Sequence, residues 1–365
     1  MYIKTIDPKV VAESIINNFG QQTVVISVAE HSAIDINALI GCLVEHDIPF
    51  IGGIFPKVIS GTEVYDEGMI LTGFSNVVET YLVKDLNTES FNIPKIDLEE
   101  DDNYFLFTFA DGLTSYLSLY LSELYTSYGN KVSYIGAGTG SLSLLQIPCV
   151  FDKSGIHQDA AVGLIAKSKI ALGVKHGWKR IAGPYVATKT DKNTIQEINW
   201  QPAFEVYKNI IKEHSQKEIS CENFPSIAKA YPFGILKDNS EYVVRDPLTL
   251  NDKGEIVCIG EVMENTVLDV LNGDNETLIQ AAEAAASQVI TQLESPKQAY
   301  ISNCISRILF LEDDYHLELK AISKKLVKNN QPIPVEGALT LGEISSFGDS
   351  YLQLFNKTVV IGLFE

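Results

Sequence analysis

The strongest constraint on this chain is a pattern that occurs three times: an apolar strand, a helix, a glycine-bearing strand and a further strand. "TVVISVAE" (Thr23–Glu30) is a β-branched run of strand length. A helix follows from about Asp35 to His46, then "IPFIGGIF" and "GMILTGF". "NYFLFTFADG", a helical run stopped by Gly129, "KVSYIGAGTGS" and "DAAVGLIAKS" repeat that order. Near the C-terminus "QAYISNCISR" (Gln298–Arg307) reads as a strand. "DDYHLELKAISKKLV" (Asp313–Val327) reads as a helix with acids first and lysines last, as the helix dipole prefers. "IPVEGALTLGEIS" (Ile333–Ser345) reads as one glycine-bearing strand, and "KTVVIGLF" closes the set. The likeness is of pattern and not of residues, and ordinary alternation of strands and helices produces it as readily as duplication. The expected fold is α+β: mixed β-sheets with packed helices, repeated strand–helix–strand–strand units and a two-part chain, 1–200 and 201–365.

At 365 residues the chain has room for about two domains. Its formal net charge of -19 makes it a poor partner for nucleic acid or an anionic membrane, because both are held by lysine and arginine. Five scattered cysteines form no CxxC pair, which suits a reducing cytoplasm better than a disulfide framework or a zinc ribbon. The N-terminus lacks the apolar core of a signal peptide, and no apolar run approaches the ~20 residues of a membrane helix. A soluble, cytoplasmic protein is the expectation. The acidic stretch "DLEEDDN" (Asp97–Asn103) reads as a solvated connector.

The glycines of "YIGAGTGS" (Tyr134–Ser141) invite a phosphate-binding reading, but the chemistry is missing. No lysine follows Gly140, Ser141 stands where a dinucleotide loop needs its third glycine, and the loop follows a helix instead of opening one. Such glycines let a strand bend or another backbone approach closely. If the strands flanking each helix are parallel, their C-terminal ends share one sheet edge, where ligands of α/β proteins tend to sit. Glu30, His31, Asp111 and the run Asn303–Arg307 would lie there.

Other chemistry is sparse. No GxSxG elbow is present. Cys149, Asp152, His157 and Asp159 cluster in sequence without a zinc spacing, in a loop that reads as a hairpin around Ser154 and Gly155. Cys304 is a nucleophile candidate only if Arg307 lowers its pKa; otherwise it is a small buried group. In "YVVRDPLTL", Arg245 and Asp246 precede a proline between β-branched residues, so each must be solvated, paired or holding something. Arg245 could grip a carboxylate bidentately or close a local salt bridge.

Taken together, several stretches resemble one family, the FIST sensory domain with its N-terminal and C-terminal parts. They are "YIGAGTGS" with "DAAVGLI", "KHGWKRIAGPYVATKT", "IQEINWQPAFEVYKNII", "YVVRDPLTLNDKGEIVCIGEV", "NCISR", and "GALTLGEIS" with "FNKTVVIGLF". In Cys304-Ile-Ser-Arg307, Ser306 stands where the family pattern has glycine. The resemblance implies a ligand-sensing input domain of bacterial signalling, with small ligands such as amino acids; some relatives bind haem and sense nitric oxide. It also implies a separate partner such as a histidine kinase, a chemoreceptor or a cyclic-dinucleotide enzyme, since no output domain follows "GLFE".

The leading expectation is a non-enzymatic sensor without a cofactor or metal. Its pocket would be formed between the two parts by Arg245, Asp246, Asn303, Cys304, Arg307 and Glu343, with Trp178 as an apolar wall. Arginine suits a carboxylate and Glu343 an amine, which together fit an amino-acid zwitterion. The alternatives are a haem sensor, with His176 as first and His31 as second candidate ligand, and an enzyme using Cys304 or Asp111.

Overall fold

The computed structural model describes residues 1–99, 103–236, 242–346 and 352–365. Residues 100–102 of the acidic connector lie outside that set. The fold is α+β with mixed sheets, and the threefold pattern is real in topology. In the first unit the strand Thr23–Ala29 pairs parallel with Phe50–Phe55 and antiparallel with Met69–Phe74. In the second, Tyr104–Asp111 pairs parallel with Val132–Thr139 and antiparallel with Ala161–Lys167. In the third, Gln298–Cys304 pairs parallel with Val335–Thr340 and antiparallel with Val359–Phe364. Each sheet is extended on its antiparallel side by a strand that precedes the unit: Tyr2–Ile3, Val77–Val83 and Ile170–Lys175.

On the parallel side each sheet is completed by another unit. The first unit's hairpin, Lys57–Ser60 with Glu63–Tyr65, pairs with the third unit's Val335–Thr340. The second unit's hairpin, Val150–Asp152 with Gly155–His157, pairs with the first unit's Phe50–Phe55. The third unit's pair, Glu343–Ser346 with Leu352–Phe355, joins the second unit's Val132–Thr139. The three sheets are thereby locked in a cycle. Their inner faces share one core that includes Val25, Phe55, Phe107, Ile135, Tyr300 and Val360. Phe74, Phe105 and Phe364, one from each unit, meet with ring centroids 4.9–5.3 Å apart. Two buried hydrogen bonds tie units together: Ser27 Oγ with Tyr300 Oη at 2.8 Å, and Ser302 Oγ to the Gly136 carbonyl at 2.8 Å.

Helices cover the outer faces. Pro8–Phe19 starts at Asp7, whose carboxylate accepts from the Lys9 amide, and ends at Gly20 with φ 59°. Ile36–Glu45 is capped by Asp35. Leu117–Tyr128 packs on the second sheet, and Asn275–Ile290 with Tyr315–Lys325 on the third.

Two expected elements differ. The strand Gln298–Arg307 stops at Cys304, and Ile305–Leu311 is a short helix that carries Arg307. Ile333–Ser345 is not one strand. Gly342, at φ 117°, turns the chain, so Val335–Thr340 and Glu343–Ser346 enter different sheets. A purely local pattern cannot register this, because both pieces are apolar and extended.

Residues 179–272 form a module inserted between the third sheet's outer strand Ile170–Lys175 and the helix Asn275–Ile290. Strands Lys179–Asp191, Thr266–Asn272, Phe233–Ile235, Val243–Leu250, Ile256–Ile259 and Thr194–Ile198 pair in that order, and the last pairs again with the first. This closed antiparallel barrel leaves no free edge among its six strands. The helix Ala203–Ser215 packs Ala203, Tyr207, Ile210 and Ile211 against Ile195, Phe233 and Val270 of the barrel.

The glycines of "YIGAGTGS" have their answer here: most of the stretch is a buried strand. The Gly138 amide donates to the Gly342 carbonyl at 2.7 Å, and the Leu341 amide to the Gly138 carbonyl at 2.9 Å. A Cβ on Gly138 would stand 2.6 Å from the Leu341 carbonyl oxygen. Gly138→Ala is expected to cost about 1–3 kcal/mol through overpacking against backbone. Gly41→Ala, in a helix with nothing within 4 Å of the new Cβ, should stabilise by about 0.5–1 kcal/mol. Urea unfolding of both variants checks the pair.

Candidate functional site

The C-terminal end of the third unit's Gln298–Cys304 strand meets the barrel, and a buried polar network fills the seam. Arg307 lies at its centre, fully buried. Its Nε donates to Glu318 Oε1 at 3.1 Å and its Nη2 to Glu318 Oε2 at 2.6 Å. The remaining donors go to three carbonyls: His176 at 2.7 Å, Lys357 at 3.0 Å and Leu278 at 3.0 Å. All five guanidinium N–H groups are therefore engaged, and they tie the chain entering the barrel to the third sheet. Asn303 donates to Tyr315 Oη and Glu318 Oε1, both at 2.8 Å.

Cys304 and Glu343 sit on the same edge. Thr340 Oγ1 donates to Glu343 Oε1 at 2.7 Å and the Thr358 amide to Oε2 at 3.3 Å. Burial pushes the Glu343 carboxyl up to about 8, against hydrogen bonds from Thr340 and Thr358 that pull it down. Burial and the neighbouring Glu343 push the Cys304 thiol up to about 12, so it is a thiol at neutral pH. Ser306 Oγ donates to its sulfur at 3.1 Å.

From the barrel side come Arg245 and Asp246. Arg245 Nε donates to the Glu261 carbonyl at 2.8 Å, and Nη1 donates to the carbonyls of Val244 at 3.1 Å and Leu354 at 3.4 Å. Burial pulls this guanidinium down to about 10. Asp246 Oδ2 is 3.1 Å from Lys357 Nζ, which also donates to the Lys229 carbonyl at 2.9 Å. Lys357 stands 5.0 Å from the Trp178 ring centroid. Trp178 is 3% exposed and packs edge-on against Phe310 at 4.9 Å. Among the described residues, three buried polar atoms of this seam have no hydrogen-bond partner: Trp178 Nε1, Asp246 Oδ1 and Asn303 Oδ1. Buried polar atoms are rarely left so, and each costs about 1–3 kcal/mol of lost hydration.

The seam thus gathers Trp178, Arg245, Asp246, Asn303, Cys304, Arg307 and Glu343 from distant stretches. Sequence reasoning missed Lys357 and Glu318, which hold it together. The signal for Lys357 was there: a lysine two residues before a wholly apolar strand, if buried with it, must find an acceptor or an anion.

His176 is in the same region. Its Nδ1 accepts the Trp178 amide N–H at 2.8 Å, and the ring stands edge-on to Tyr242 at 6.2 Å. With Nδ1 accepting, a neutral ring carries its proton on Nε2, so in this arrangement it has no lone pair there to offer haem iron. The His31 side chain is 66% exposed, 3.9 Å from Glu30. Glu30 and Asp111 lie at the corresponding edges of their own units. Glu30 accepts from the Leu142 amide, and Asp111 accepts from Gln146 Nε2 at 2.6 Å and from the Asp159 amide at 2.8 Å. His157 pairs locally with Asp152 at 3.2 Å, and among the described residues no group of three or more metal-binding side chains gathers. A polar depression of about 300 Å³ lined by Lys131, Lys169 and Gln292 lies at the opposite end, where the second unit's parallel strands begin. It holds none of the residues above.

The architecture is that of a two-module α+β protein whose ionisable groups converge on the seam between modules. Residues 22–201 match the FIST N domain and residues 203–346 the FIST C domain, and the chain belongs to the FIST family. FIST domains are sensory domains associated with signal transduction from small ligands. No match was found among curated proteins. Among the described residues no helix is long and apolar enough to cross a membrane.

Glu318→Ala would strand the buried Arg307 charge, and a loss of about 3–5 kcal/mol in unfolding free energy is expected. The Glu343 carboxyl has a folded pKa raised from 4.5 to about 8. Between those values the folded state keeps a proton that the unfolded chain has released, so this group's contribution to stability falls as pH rises. Glu343→Gln should flatten that part of the stability–pH profile, measured by denaturant midpoints from pH 5 to 9. An unchanged slope would show that Glu343 does not titrate there.

Proposed function

We propose that the protein is a non-enzymatic sensor that binds a compact, amino-acid-like zwitterion at this seam and passes the signal to a separate protein. The observation that carries the reading is the set of unpartnered buried atoms in the seam. The indole N–H of Trp178 is a donor suited to a carboxylate. Asp246 Oδ1 and Asn303 Oδ1 are acceptors suited to an ammonium group. Arg245 Nη2, which has no acceptor among the described residues, supplies a second donor for the carboxylate. Arg307, Cys304 and Glu343 form the floor that fixes these groups. Because the seam is buried, a ligand enters only when barrel and ring separate slightly. Binding is then coupled to a relative movement of the modules, which is what a sensor needs.

Thermal-shift measurement against the common amino acids and small amines and carboxylates tests the reading. A ligand at a hundred times its Kd should stabilise the protein by about 2.7 kcal/mol. Trp178→Phe should abolish that gain while leaving the ligand-free melting temperature within a few degrees; Asp246→Asn should abolish it too, at the added cost of leaving the buried Lys357 charge without its carboxylate. If no small polar molecule raises the melting temperature, the proposal fails.

A further inference from the structure

The chain has two tryptophans, and they are treated oppositely: Trp178 is buried, while Trp200 is 79% exposed. Trp200 is the second of two residues joining Thr194–Ile198 to Gln201–Pro202, whose ladder pairs Ile198 with Gln201. Asn199 and Trp200 both have positive φ, 50° and 59°. A two-residue hairpin loop of this hand favours asparagine first and glycine second. Asn199 fits, but at the second position a left-handed backbone is strained for any residue with a Cβ. The fold therefore tolerates both a strained backbone and a hydrated indole at one tip. Strain of this kind concentrates where a residue serves function.

Further exposed apolar residues border the same place. The Trp200 amide donates to Thr188 Oγ1 at 2.9 Å on one flank of the Lys179–Asp191 strand. On the other flank the Asn265 amide donates to the Ala187 carbonyl at 2.8 Å, and Val267 is the register partner of Val186. Met263 is 69% exposed and Val267 is 55% exposed. The charges on the flanking segments are four acids, Asp191, Glu197, Glu261 and Glu264, against Lys189, which is the register partner of Glu197, and Lys192, whose carbonyl accepts from the Val262 amide.

We propose that this face of the barrel, with Trp200 as anchor beside Met263 and Val267, is the docking surface for a separate protein that presents an apolar pocket rimmed by lysine and arginine. Exposed tryptophan is the side chain most often found to dominate an interface, and the acidic rim selects a basic partner. A second copy of this chain is a poor occupant, because it would bring like acids together on molecules of charge -19. The inference rests on the reading that the signal leaves through a separate protein, but not on what binds at the seam.

The test replaces Trp200 or Met263 with p-benzoylphenylalanine in the source cells, with Val44, exposed on a first-unit helix, as control. The photocrosslinked protein is then purified and titrated against wild-type protein. Emission from Trp200, the water-exposed tryptophan, should shift to the blue, and affinity should fall as salt rises. Trp200→Gly should weaken binding at least ~30-fold while leaving the melting temperature equal or higher, since glycine suits the loop. The proposal is overturned if positions 200 and 263 give no adduct, or if position 44 gives the same one. It is also overturned if the only adduct is a homodimer, or if Trp200→Gly binds within ~3-fold of wild type. Partner binding that depends on Trp200, together with an absence of ligand-induced stabilisation, would reject the ligand reading and leave this one standing.

Discussion

Each of the three sheets would end in an open strand if its unit stood alone. The exposed strands are Phe50–Phe55, Val132–Thr139 and Val335–Thr340, and each is covered by a hairpin from another unit. Unpaired strand edges lose hydrogen bonds and template aggregation, so no single unit is complete. The cycle makes the three units one cooperative body, and the common core, in which Phe74, Phe105 and Phe364 meet, follows from it.

The same exchange builds the polar seam. Glu343 belongs to the hairpin that the third unit gives to the second, and it pairs with Ala137 in the glycine strand. The glycines there are needed because the Leu341–Gly342 backbone passes within hydrogen-bonding distance of Gly138. Once the hairpin is seated, Thr340 and Thr358 enclose the Glu343 carboxyl, and Arg307 can reach His176, Leu278 and Lys357 at once. Packing geometry and site electrostatics are thus two results of one strand-pairing choice.

The barrel enters between Lys175 and Asn275, after the outer strand of the third sheet, so its attachment points are His176–Trp178 on one side and Gly273–Asp274 on the other. Both lie against the network: Trp178 packs over Gly273, where an added Cβ would come within 2.8 Å of its ring. A change in the pose of the barrel must therefore disturb Trp178, Lys357 and Asp246. Under the two proposals above, this contact is where the ligand seam would act on the barrel that carries Trp200.

The sequence by itself determined the local elements. Asp7 and Asp35 caps, Gly20 and Gly129 stops, and runs such as "TVVISVA" encode burial and backbone preference within a few residues, so strands and helices were legible from periodicity. It also brought Arg245 and Asp246 into view as charges between β-branched residues and Asn303, Cys304 and Arg307 as residues of an expected strand end, while Glu343 and Trp178 joined them through the family resemblance. Only the tertiary structure decided that Arg307 sits on a helix, that Gly342 divides two strands between sheets, and that Lys357 and Glu318 complete the network. The physical reason is range. Hydrophobic periodicity is written in neighbouring residues, whereas edge pairing and charge partnering depend on surfaces hundreds of positions apart that exist only once the three sheets have closed on one another.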